Sequence, residues 1–165
     1  MFYKITLKFI MLSFFFSCNS VAQKKESFKI QKTEAEWKLE LTELQYYVMR
    51  EEGTERAFSS PLDKNYSDGT YVCAGCNIPL FYSKNKFNSG SGWPSFDVEI
   101  KGNIAYTIDY NIGVARIEEH CANCGGHLGH LFNDGPKNTT GKRHCINGVA
   151  LKFISKNHFK LDNIQ

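Results

Sequence analysis

The chain has 165 residues, the size of one ordinary domain, with 42% hydrophobic, 14% aromatic and 22% charged side chains. That composition supports a packed core and excludes a disordered, collagen-like or coiled-coil chain. The formal net charge is +3, and with Lys4 and Lys8 in an N-terminal leader the remainder holds 18 basic against 17 acidic residues, which is no electrostatic footprint for nucleic acid or anionic lipid.

Residues 1–22 read as a segment apart from the fold. The first eight carry positive charge and no acid, and Phe9-Ile-Met-Leu-Ser-Phe-Phe-Phe16 is a short apolar run. A membrane-spanning helix needs roughly 20 such residues, so the segment is expected to be a secretory signal peptide. Two cleavage patterns compete: Ser20-Val-Ala22 ahead of Gln23, and Ser17-Cys18, a lipoprotein-type box whose Cys would be acylated. The plainer alternative is an apolar helix kept in the mature protein. Export to the periplasm or cell envelope of a bacterium is expected, with membrane attachment only through a lipid at Cys18.

Residues 23–32 are polar, without periodicity, and read as a tether. The domain is expected over 33–155, with a tail over 156–165. Thr33 with Glu36, and Thr42 with Gln45, have the spacing of capping boxes. Trp37, Leu41, Leu44 and Val48 recur at helical spacing as one apolar face, broken near Leu41-Thr42 and stopped at Gly53. Helical content is expected to end there. Short β-type runs follow at 71–72, 80–82, 104–108, 114–117 and 149–154, and Tyr110-Asn-Ile-Gly113 reads as a hairpin connection. The expected fold is a small, mainly β antiparallel domain with helices at its N-terminal side.

Cys73-Ala-Gly-Cys76 and Cys121-Ala-Asn-Cys124 are two CxxC knuckles. A Gly or Asn between the cysteines is expected to let both sulfurs face one ion. Four thiolates make a closed tetrahedral Zn²⁺ site, structural rather than catalytic, and the 44 residues between the knuckles would let the metal staple distant strands. Two structural disulfides are the alternative, against which stands the redox activity usual for CxxC disulfides. A nucleic-acid zinc ribbon fails on the near-neutral charge and on export.

Cys145 is left over, in Gly141-Lys-Arg-His-Cys-Ile-Asn147. Arg143 and Lys142 stand close enough in sequence to favour its thiolate, the nucleophilic form. Upstream, His127-Leu-Gly-His130 sets two imidazoles three residues apart, with Asp134 beyond. A thiol, two histidines, Asn147 and a carboxylate are the parts of nucleophilic catalysis with proton transfer. The bland alternative is a buried, inert Cys145 in a strand with the histidines on a loop.

These segments together resemble the B-type methionine sulfoxide reductases, which reduce the R epimer of methionine sulfoxide in proteins. The resemblance runs from about Trp37 to Phe153 through Gly53-Thr-Glu-Arg56, the first knuckle, Phe87-Asn-Ser-Gly-Ser-Gly-Trp-Pro-Ser-Phe96, the second knuckle, His127-Leu-Gly-His-Leu-Phe-Asn-Asp-Gly-Pro136 and Arg143-His-Cys-Ile-Asn147. It implies a small barrel-like pair of antiparallel sheets stapled by the four-cysteine zinc site. It implies that Cys145 attacks the sulfoxide sulfur and becomes a sulfenic acid. His127, His130 and Asn147 would surround the departing oxygen with Asp134 in support, and Arg143 would stabilise the thiolate. Trp93, with Phe132, would receive the substrate; a plain core role for Trp93 is the alternative, weakened by the turn residues Gly90, Gly92 and Pro94.

Two departures matter. Many family members carry a Cys where this chain has Ser91, and that Cys resolves the sulfenic acid into a disulfide. With Ser91 an external thiol, such as a thioredoxin-like protein, is expected to reduce it directly. His144 stands where the family commonly has Tyr. The expected partners are oxidised proteins and a thiol reductant, with no nucleic acid, and the expected state is a monomer. The competing functions are another thiol enzyme, such as a cysteine protease or peroxidase, and a zinc-stapled binding module without catalysis.

Overall fold

The computed structural model describes residues 28–156. The expected leader over 1–22, the first part of the tether and the tail beyond 156 lie outside the described residues.

Among the described residues two short helices come first. Helix α1 (Glu34–Glu40) starts at Thr33, whose hydroxyl accepts from the Glu36 N–H while the Glu36 carboxylate accepts from the Thr33 N–H. Helix α2 (Glu43–Arg50) repeats the box with Thr42 and Gln45. Each box satisfies amides that a helix start leaves unpaired. Leu41 and Thr42 are extended, so the helical phase is reset between the two segments. Trp37, Leu41, Tyr46, Val48 and Met49 are buried as a result, whereas Leu44, expected on the same face, is 46% exposed. Helical content does not end at Gly53 as expected: short 3-10 turns follow at Pro61–Lys64, Ser83–Asn85 and Gly148–Ala150.

Nine strands follow among the described residues: β1 (Gly69–Cys73), β2 (Pro79–Tyr82), β3 (Lys86–Phe87), β4 (Ser95–Phe96), β5 (Ile104–Asp109), β6 (Arg116–Cys121), β7 (His127–Phe132), β8 (Arg143–Ile146) and β9 (Leu151–Ser155). They make a three-stranded sheet, β2-β1-β9, and a six-stranded sheet, β3-β4-β8-β7-β6-β5, with every pairing antiparallel. Both sheets are open; the pair packs without closing into a barrel. The run expected at 114–117 is displaced to Arg116–Cys121, because Gly113, at φ +80°, still belongs to the turn that donates to the Tyr110 carbonyl at 2.8 Å. The run at 149–154 starts as a 3-10 turn and becomes strand only at Leu151.

The two sheets meet on aromatic faces. Phe81 of β2 stacks on Phe96 of β4 with ring centroids 4.2 Å apart, and Tyr71 of β1 meets the same ring edge-on at 5.0 Å. Such pairs add stabilisation beyond the area they bury. The buried helix residues join this cluster. Among the described residues no helix is long and apolar enough to cross a membrane.

Candidate active site

Strand register brings the chemical groups together. His130 lies directly opposite Cys145 across β7–β8, Cys145 opposite Ser95 across β8–β4, and Glu118 opposite His130 across β6–β7. Paired residues leave the sheet from the same face with Cβ atoms about 5 Å apart, so the thiol and the imidazole are neighbours. Two positions along each strand, on the same face, Asp109 pairs with Arg116 and Phe132 with Arg143. The opposite face is core: His144 is buried there and its Nδ1 lies 2.5 Å from a Glu119 carboxylate oxygen.

Above this lattice is a cavity of about 210 Å³ whose walls include Trp93, Arg116, His130, Phe132, Cys145 and Asn147. Trp93 is half-buried, and its indole Nε1–H donates to the Glu55 carbonyl at 3.2 Å. The turn presenting it needs left-handed backbone at Gly90 and Gly92, and the Gly92 carbonyl accepts from the Phe58 amide at 2.7 Å. Asn147 is buried, with its Oδ1 accepting from the Glu55 N–H and its Nδ2–H donating to the Leu128 carbonyl, both at 3.0 Å. Glu55 is itself buried, and its carboxylate accepts from the Gly148 and Val149 amides. Burial pushes that carboxyl up and the two amides pull it back. One residue therefore braces both Trp93 and Asn147, and sequence reading did not single it out.

Arg143 holds Asp134 in a two-pronged ion pair, Nε at 2.8 Å and Nη2 at 2.9 Å, and its guanidinium sits 4.3 Å from the Phe132 ring centroid. Asp134 is 62% exposed and reaches the site only through Arg143. Lys142 turns away, donating to Asn133 at 2.6 Å. The resting Cys145 is a thiol: burial pushes it up, while Arg143 and the Ser91 hydroxyl pull it down without prevailing. Desolvation of a thiolate at the cavity floor outweighs one neighbouring cation. Ser91 Oγ lies 3.9 Å from the Cys145 sulfur and continues into a hydroxyl chain, Ser91 to Ser89 at 2.8 Å and Ser89 to Ser95 at 2.7 Å, closed by Ser95 donating to the Trp93 carbonyl.

The two histidines are not equivalent. His130 lines the cavity, with its Nε2 2.8 Å from Asp109 Oδ2. Burial pushes its pKa down and the Asp109 bond opposes that. His127 is buried behind it, 5.4 Å away between ring centroids, with Nδ1 2.7 Å from a Glu118 carboxylate oxygen that the contact holds below its ordinary pKa. Asp109, Arg116 and Glu118 escaped the sequence reading. They carry no motif, and only the register of β5, β6 and β7 puts them beside His130.

The four knuckle cysteines form a second centre. Their sulfurs all lie within 4.8 Å of one another, with Cys73 to Cys124 at 3.7 Å and Cys76 to Cys121 at 3.5 Å. Four thiolates about 2.3 Å from one tetrahedral ion are separated by about 3.8 Å, so the cluster can hold a metal ion. The turns that shape it are alike: Asn77 and Gly125, each four residues after its first Cys, have φ of +59° and +69° and donate to the Cys73 and Cys121 carbonyls at 2.8 Å. The left-handed residue follows the second Cys of each knuckle rather than lying between the pair.

Comparison with known proteins then decides the family, since the SelR domain pattern matches residues 41–155. The chain belongs to the SelR domain family. Its relatives include the peptide methionine sulfoxide reductase MsrB of Leptospira interrogans, 50% identical over 128 residues that cover 77% of this chain and 97% of that protein. The MsrB proteins of Methylibium petroleiphilum and Agrobacterium fabrum are 47% and 48% identical, each over 76% of this chain and 91% and 93% of their own lengths. The SelR match takes in both knuckles, the Trp93 turn and β8 with Cys145.

Proposed function

We propose that this SelR domain reduces methionine-R-sulfoxide residues in oxidised peptides and proteins to methionine, with Cys145 as nucleophile. The observation that carries the reading is Cys145 and His130 paired across β7–β8 beneath the Trp93–Phe132 wall. The substrate methyl group packs on Trp93, an apolar face that does not compete for the oxygen. The Cys145 sulfur attacks the sulfoxide sulfur, the sulfoxide oxygen passes to Cys145 as its proton is supplied, and methionine leaves. Cys145 ends as a sulfenic acid: its sulfur is oxidised by two electrons and the substrate sulfur reduced by two. His130 and the Asn147 amide face the oxygen, with His127 behind His130. Arg143, steadied by Asp134, stabilises the thiolate as it forms.

Regeneration uses an external thiol, in a thioredoxin-like protein or a small reductant. One thiol converts the sulfenic acid to a mixed disulfide and water, and a second releases Cys145. Ser91 has no sulfur, and the four knuckle cysteines lie together at the other centre. The metal there is proposed to be zinc, since four soft thiolates in closed tetrahedral array suit a structural zinc. Export to the cell envelope, supported by the charge and hydropathy of residues 1–22, would direct the activity to envelope proteins.

The test is reduction of the separated R and S epimers of a methionine sulfoxide peptide with dithiothreitol. Activity on the R epimer alone, abolished in Cys145→Ser, is the expected outcome; equal activity on both epimers, or a fully active Cys145→Ser, overturns it. For the regeneration step, Ser91→Cys should accumulate an intramolecular disulfide with Cys145 after one turnover without reductant. The unaltered protein should accumulate a dimedone-reactive sulfenic acid instead.

A further inference from the structure

We infer that Asp109 and Arg116 are positioning residues that fix which nitrogen of His130 exchanges a proton with the reacting centre. The inference rests on the reading of Cys145 and His130 given above. Asp109 is 8% exposed, and its carboxylate accepts three hydrogen bonds: from the Asn111 amide at 2.6 Å, from Arg116, and from His130 Nε2 at 2.8 Å. A carboxylate cannot donate, so the imidazole carries its proton on Nε2. Nδ1 makes no hydrogen bond to any described residue, and the ring lines the cavity beside Cys145. By this geometry Nδ1 is the working nitrogen. It accepts the Cys145 thiol proton as the thiolate forms and returns that proton to the sulfoxide oxygen when the sulfur–oxygen bond breaks, so that no proton is lost from the pair.

Arg116 does a different job from Asp109. It lies on the rung beside Asp109 and lines the same cavity. Its charge offsets that of Asp109, so His130 keeps the oriented hydrogen bond without the full pull of a lone carboxylate. The charged and titratable groups facing His130 are Asp109 on β5, Arg116 and Glu118 on β6, His127 on its own strand and Cys145 on β8. Burial, Arg116 and His127 favour the neutral ring and Asp109 favours the charged one, with the neutral ring prevailing. A resting His130 that is neutral, with Nδ1 free, is ready to take a proton from a thiol.

The two residues therefore have opposite effects on one titration, which mere structural support would not produce. In kcat/KM against pH, the acid limb reports loss of the neutral ring. Asp109→Asn should move that limb to lower pH and lower kcat by at least about tenfold, with KM little changed. Arg116→Gln should move it to higher pH, and Arg116→Lys should restore it. Shifts of both variants in the same direction, or a fall in Tm with an unmoved profile, overturn the inference. A readout independent of turnover is the ¹⁵N shift pair of the His130 ring in the resting protein. The Nε2–H tautomer alone is expected, giving way to a mixture in Asp109→Asn. A dominant Nδ1–H tautomer overturns the inference whether or not sulfoxide is reduced, whereas a lone Nε2–H tautomer without sulfoxide reduction overturns the reading of function instead.

Discussion

Replacing Arg143 by Gln removes a cation beside a thiol that burial already holds in its protonated form. The Cys145 pKa should rise further, and at a fixed pH near 8 the thiolate fraction falls with it. Alkylation of Cys145 by iodoacetamide, followed by mass spectrometry, should therefore be slower in Arg143→Gln than in the unaltered protein. Gly129 sets a steric limit at the same place. A Cβ there would sit 2.0 Å from the Cys145 carbonyl oxygen, which is backbone and cannot swing aside. Gly129→Ala should cost about 2 kcal/mol or more in urea unfolding and pry β7 from β8. Asp109 carries an acid-stability signature as well. The Asn111 amide, His130 and Arg116 hold it down to about 2, below the about 3.9 of an unfolded chain. A lowered folded pKa contributes stability that is complete above about pH 4 and lost as pH falls toward 2. Asp109→Asn should flatten that slope in thermal melts between those limits.

At the scale of elements, the helices are held by caps rather than by length. Runs of seven and eight residues are far below what folds alone in water, so each depends on its Thr cap and on the side chains it buries. Helix α2 carries the heavier load, with Tyr46, Val48 and Met49 in the core and Arg50 donating to the Cys124 carbonyl at 3.1 Å. Thr42→Ala should cost about 1 kcal/mol by urea titration and Thr42→Ser much less. The strands divide along the same physical line. β1, β2 and β5 are rich in aromatic or β-branched residues and were legible. β7 and β8 read His-Leu-Gly-His-Leu-Phe and Arg-His-Cys-Ile, with little β propensity of their own. They become strands because their neighbours supply the ladder, and they carry the candidate site.

For the whole molecule, the four-cysteine cluster ties one sheet to the other. Cys73 ends β1 and Cys121 ends β6, while Cys76 and Cys124 sit in the turns that follow. A metal held there joins the three-stranded sheet to the six-stranded one, and helix residues Trp37 and Met49 cover the first knuckle at Gly75. Because the ligand set exists only in the folded chain, metal affinity adds directly to folding stability. Removal of bound metal by chelation, or Cys76→Ser, should abolish the cooperative unfolding transition, read by calorimetry with metal content measured in parallel. An unchanged melt after complete metal loss would contradict the clamp.

Short-range chemistry made much of this protein readable in advance. Capping boxes at Thr33 and Thr42, paired CxxC spacing and the segments around Trp93, His130 and Cys145 are local patterns, because caps, turns and ligand pairs are built from residues a few positions apart. Those segments also sufficed for the family. What needed the tertiary structure is whatever depends on register between strands far apart in the chain. The pairing of β5 with β6 and of β6 with β7 puts Asp109, Arg116 and Glu118 beside the histidines, since a strand alone has two equivalent faces and only its neighbours decide which one meets the site. The protonation of Cys145 belongs to the same class: sequence showed the cations nearby, but burial at the floor of a cavity walled by Trp93, His130 and Phe132 is a three-dimensional quantity, and desolvation outweighs them.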